Sequence, residues 1–112
     1  LSEMALLMED MYSELEKIRP DVVEHKPIGA FPRMLTKIHT AKLTNTFERT
    51  FEFDRLAELL LENQKALYDS PAYSNRIESY NAVVRTCIVC HQSPAGCPGP
   101  IPRISGLLIP VK

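Results

Sequence analysis

Glycine is scarce in this sequence, with four in 112 residues, and no apolar run approaches the roughly 20 residues a membrane-crossing helix needs. Charge of one sign is missing too. Thirteen Lys and Arg stand against fourteen Asp and Glu, a formal net charge of −1. Nothing in that balance points to a nucleic-acid surface or a polybasic membrane patch. The alternating pattern of half-buried strands is absent, as are internal repeats and low-complexity stretches. No basic stretch leading into an apolar one precedes Leu1, so the chain reads as a mature protein after signal removal or as a trimmed piece. A chain of this length is expected to form one domain spanning 1–112. A domain so small buries a modest share of its surface, and a bound cofactor or an oligomer would add to its stability.

What is present is helical patterning. Met4, Leu7, Met8, Met11, Leu15 and Ile18 fall on one helical face, with Ser2 as a candidate N-cap and Arg19–Pro20 as the expected stop. A connector containing Pro20, Pro27 and Gly29 leads to a shorter stripe, Phe31, Met34, Leu35, Ile38 and Ala41, with Pro32 tolerated in its first turn. Beyond the polar break at Thr44–Thr46, Phe53, Leu56, Ala57, Leu60 and Leu67 form a third stripe. Asp69-Ser70-Pro71 offers a cap and first turn for a fourth helix, whose stripe is Tyr73, Ile77, Tyr80, Val84, Cys87 and His91. Five of the nine prolines lie at or after Pro94, which predicts a non-helical tail over 93–112. The expected fold is all-α, an antiparallel four-helix bundle with a helical body over about 2–92.

The fourth stripe runs straight into Cys87-Ile88-Val89-Cys90-His91. Cys-x-x-Cys-His is the attachment sequence of a c-type haem. Two thiols one helical turn apart can add to the two vinyl groups on one side of a porphyrin, and the following imidazole then points beneath the ring toward the iron. One covalent haem is therefore expected on Cys87 and Cys90, with His91 as an iron ligand. Two other readings stand beside it. A thioredoxin-like redox pair wants a preceding strand and a helix N-terminus, neither of which the pattern provides. A structural zinc site could draw on Cys87, Cys90, Cys97 and a histidine, although the spacing is not that of paired knuckles.

A helical bundle with Cys-x-x-Cys-His closing its last helix resembles the cytochrome c′ family, over roughly residues 2–92. The resemblance implies thioether anchors at Cys87 and Cys90, His91 as proximal ligand, and a distal face lined from the first helix, here Met4, Leu7, Met8 or Met11. It also implies dimerisation and binding of NO or CO at the distal face. After the motif the family usually continues with a short basic helix, where this chain has Gln92-Ser93-Pro94-Ala95-Gly96-Cys97-Pro98-Gly99-Pro100. That stretch and its third cysteine look like the small heterodimeric c′-like haem proteins of anammox bacteria, in which iron is ligated by His and Cys.

The sixth iron position has four candidate states. Cys97, six residues past His91, has a reach of at most ~20 Å, enough to pass around a porphyrin edge. A vacant or aliphatic face, a methionine from Met4, Met8 or Met11, and a histidine, His25 or His39, complete the set. Tyr80 and Val84 are expected to pack on the haem or the core. The function expected is binding of NO or CO at a haem with His91 proximal and Cys97 distal; the alternative is an electron-transfer cytochrome with a fixed sixth ligand. No arrangement of base, nucleophile or second metal argues for an enzyme. The apolar tail residues Ile101, Ile104, Leu107, Leu108, Ile109 and Val111 are expected to cover the haem edge or pack on a partner, a second similar subunit in a homo- or heterodimer. A redox partner protein, no nucleic acid and no membrane span complete the expected partners. Because c-type haem is attached outside the cytoplasm, a periplasmic or other extracytoplasmic setting follows from the motif.

Overall fold

In the computed structural model, which describes residues 1–71 and 73–111, the protein is all-helical. The elements in chain order are α1 (Glu3–Val23), a 3-10 helix (Arg33–His39), α2 (Phe51–Asp69), α3 (Ile77–Gln92) and α4 (Ile101–Ser105). No strand occurs among the described residues, and no helix among them is long and apolar enough to cross a membrane.

Helix α1 starts where its cap residue dictates: Ser2 Oγ accepts from the Ala5 amide at 3.0 Å. It does not stop at Pro20. Proline costs a helix the bond its missing N–H would make, but Val22 beyond it is buried to 1% exposure and the Pro20 carbonyl accepts from Glu24 N. Burial of that last turn outweighs the lost bond. The second stripe forms a 3-10 helix, not an α-helix. Thr36 Oγ bonds back to the Arg33 carbonyl at 2.9 Å, competing for an acceptor, while Leu35 and Ile38 still reach the core.

Thr50 caps α2 through Phe53 N at 3.0 Å, and Phe53, Ala57, Leu60, Leu61 and Leu67 are buried along it. The expected start of the fourth helix at Ser70–Pro71 moves to Ile77. Ser70 instead bonds back to the Ala66 carbonyl of α2 at 3.0 Å, Pro71 accepts from Ser74 N in a turn, and Tyr73 lies exposed at φ 66°. This short connection folds α3 back antiparallel on α2, and Asn63 Nδ2 meets Thr86 Oγ1 across the pair at 2.9 Å. Tyr80, Val83 and Val84 of α3 are fully buried, and the Tyr80 hydroxyl donates to the Leu15 carbonyl of α1 at 3.3 Å.

The tail departs from the non-helical expectation. Pro100 and Pro102 flank the first residue of α4, where backbone N–H groups have no helical partner to lose, so proline is tolerated. Ile104, Leu107 and Ile109 are buried in the same core as α1, α2 and α3. Two polar clamps hold the tail down. Arg19 of α1 donates to the carbonyls of Leu107 (3.0 Å) and Leu108 (2.9 Å). Asn81 of α3 exchanges two bonds with the backbone of Ile109, at 2.8 and 2.9 Å. The apolar tail residues that suggested a partner surface are in large part covered by the chain itself.

Candidate functional site

The last turn of α3 forms one end of an apolar cleft with about 830 Å³ of empty space, its open mouth included. Cys87, Cys90 and His91 all face it. From α1 come Met8, Met11, Tyr12 and Leu15; from α2 come Phe53, Leu56, Ala57 and Leu60. Ile38 of the 3-10 helix and Pro100, Arg103, Ile104 and Leu107 around α4 close the remaining sides. Glu9 and Arg103 are the charged members. They pair across the cleft at 3.1 and 3.2 Å, with the Arg103 guanidinium 3.9 Å above the Tyr12 ring.

The sequence positions thus divide. Met8 and Met11 line the cleft with Cys87, Cys90 and His91, whereas Tyr80 and Val84 are buried in the core without lining it. Met4 is likewise a core residue. His25 is exposed in the left-handed conformation (φ 59°), and exposed His39 pairs with Glu58 at 3.4 Å; neither lines the cleft. Arg103 and Tyr12 went unrecognised from sequence. The cue for Arg103 was the spacing of Ile101, Ile104 and Leu107, which is helical but interrupted by prolines; the cue for Tyr12 was its place four residues after Met8 and three before Leu15 on α1.

Burial pushes the Cys87 thiol up to about 12, with the neighbouring Cys90 adding to the effect. Cys90 is raised by burial and by the Glu52 carboxylate. Both groups are therefore neutral thiols near neutral pH, the opposite of the depressed values of a redox-active pair. Cys97 is exposed. A pH dependence follows. An unfolded thiol ionises near ~8.5, and the folded Cys87 stays neutral up to about 12, so its contribution to stability is complete below the lower value and lost as pH rises between the two. Urea midpoints of the reduced, haem-free chain should fall from pH 8 to pH 11, and Cys87→Ala should shrink that fall; an equal fall in both would refute it.

His91 is partly buried, and its Nδ1 lies 2.6 Å from the carbonyl oxygen of Cys97. A carbonyl only accepts, so Nδ1 carries the proton and Nε2 is left as the basic nitrogen. The donor set fits a covalently held haem. It offers two thiols one turn apart, one imidazole with Nε2 unprotonated, and walls that are mostly apolar apart from the Glu9–Arg103 pair. Among the described residues, no three His, Cys, Asp or Glu side chains are grouped closely enough to hold a metal ion between them, although Cys87, Cys90 and His91 share the cleft. The same geometry sets Cys97 behind the imidazole, on the Nδ1 side. Comparisons with protein-family models, with curated proteins and with solved structures found no match.

Proposed function

We propose that the chain is a monohaem c-type cytochrome that binds NO or CO, anchored through Cys87 and Cys90 and ligated by His91 Nε2. The observation carrying this reading is the convergence of all three motif side chains on one apolar cleft. Each thiol would add its sulfur to one carbon of a vinyl group and its hydrogen to the other, with no net oxidation. When bound, the iron would supply one-electron chemistry and a coordination position for a diatomic ligand. The chain's own part is to orient one imidazole and to exclude water with Phe53, Leu56, Leu60 and Leu107.

In this reading the fold is a bundle of the cytochrome c′ kind in which the 3-10 helix Arg33–His39 stands for the second helix. A similar second subunit and a redox protein are its proposed partners, and its compartment lies outside the cytoplasm. Ligation by the Cys97 sulfur from the opposite face would require release of the Nδ1 bond and of the loop after Gln92. The second reading, an electron-transfer cytochrome, is favoured by Met8 and Met11 on the cleft wall, since a thioether there would make a firm sixth ligand.

Absorption spectra of the ferric and dithionite-reduced protein, with and without CO, test both, beside a pyridine spectrum of the denatured sample. The proposal expects covalent haem and CO binding on reduction. Absence of covalent haem overturns it, and refusal of CO moves the assignment to electron transfer. Loss of a low-spin thiolate spectrum in Cys97→Ser would assign the sixth position to Cys97.

A further inference from the structure

We infer that Gly96 is a positioning residue for His91, and that the turn it closes sets the donor strength of Nε2 through the Cys97 carbonyl. The inference rests on the proposed function for its iron chemistry and on the geometry of the loop for its structural part.

Helix α3 ends in a built turn. Ser93 Oγ donates to the Cys90 carbonyl at 2.7 Å and accepts from Ala95 N at 3.1 Å. Gly96 N then donates to the Ser93 carbonyl at 3.2 Å, folding the chain back onto the helix it has just left. The close approach is what demands glycine. A Cβ at position 96 would lie 2.9 Å from the Cys90 oxygen and 3.1 Å from the His91 Cα. Both neighbours are helix backbone and cannot swing aside. The need is steric and not conformational, because Gly96 is not among the residues with positive φ. Gly99, in the same loop, has nothing within 4 Å of the equivalent point.

The next residue after the contact, Cys97, brings its carbonyl onto His91 Nδ1. An imidazole that donates from one nitrogen is a stronger base at the other, and such outer partners change metal affinity by about 10–100-fold when removed. A stronger donor favours the ferric state and lowers the reduction potential. Pushing the loop away by one methyl group should therefore weaken the Fe–His bond without touching a ligand.

The test compares Gly96→Ala with Gly99→Ala and Ser93→Ala in the haem-loaded chain. Gly96→Ala is expected to keep covalent haem, to shift the ferrous Fe–His stretch to lower frequency, and to shift the midpoint potential positively. Ser93→Ala should shift both in the same direction, and Gly99→Ala neither. Parent-like values in Gly96→Ala overturn the inference; should that variant not accumulate, parent-like values in Ser93→Ala do so. A separate readout uses the haem-free chain. Nitrogen-15 NMR should find His91 protonated at Nδ1 with slow exchange in the parent, and a tautomer mixture in Gly96→Ala. If the parent takes up no covalent haem, the proposed function fails alone, and the tautomer comparison still decides the role of Gly96.

Discussion

Changing Cys87 and Cys90 together to alanine should abolish covalent haem while leaving the helices formed. Both positions lie inside α3, where alanine is the best helix former, and both are only partly buried, so truncation leaves modest cavities. The cost to folding should be about 1–3 kcal/mol. The cost to cofactor retention should be complete on denaturation, because His91 and the non-covalent contacts of the cleft, all that would be left to hold a ring, are lost with the fold. Single variants should differ from the double. Each keeps one thioether and retains haem through denaturation, with a reduced absorption band shifted by the unsaturated vinyl group. On the proposed reading His91→Ala should show the converse, with haem still covalent but without the imidazole proposed to ligate its iron. Haem staining after a denaturing gel, the pyridine spectrum and far-ultraviolet dichroism measure these outcomes together. Haem that survives denaturation in the double variant would defeat the anchoring role.

The helices that carry the motif were legible because their stripes are also their buried faces. Met4, Leu7, Met11, Leu15 and Ile18 read as one face of α1 and are buried there. Phe53, Ala57, Leu60 and Leu67 do the same for α2. Boundaries failed where tertiary burial competed with a local signal. Pro20 looked like a stop, yet Val22 beyond it had a core position to fill. Pro71 looked like a first turn, yet Ser70 bonded backwards to α2. The tail was the larger miss. Its prolines suppressed the helical reading of Ile101, Ile104 and Leu107, although at a helix start they do no harm. As a result the helix that builds the fourth wall of the cleft, including Arg103, was invisible from sequence, and the apolar tail was read only as a cover for the haem edge or a surface for a partner. The fold of the loop after α3 was illegible for a different reason. Its close approach depends on the path of the backbone, and two glycines among prolines give no pattern that singles out Gly96.

Asn81→Ala should be the most damaging polar substitution in the molecule, because it releases that fourth wall. The Asn81 amide is 3% exposed and satisfies both the N–H and the carbonyl of Ile109. Alanine would leave two backbone groups of the tail unpaired in a dry site, at roughly 1–3 kcal/mol each. The total, about 2–6 kcal/mol, is a large part of the 5–15 kcal/mol that holds a small domain together. At about 4 °C per kcal/mol, the melting temperature should fall by roughly 8–24 °C. The loss should first appear locally. Arg19 still grips Leu107 and Leu108 from one side, but the burial of Ile109 no longer compensates for its two desolvated groups. Fraying should start at Ile109 and expose the peptide bond after Arg103 to trypsin before the rest of the chain unfolds. In haem-loaded protein, the withdrawal of Ile104 and Leu107 from the cleft should admit water and raise the rate of haem oxidation in air. Thermal melts, limited proteolysis with mass mapping and autoxidation rates check each step. A melting temperature within about 2 °C of the parent, or cleavage after Arg103 no faster than global unfolding, would show that the tail is held by its apolar contacts and by Arg19 alone.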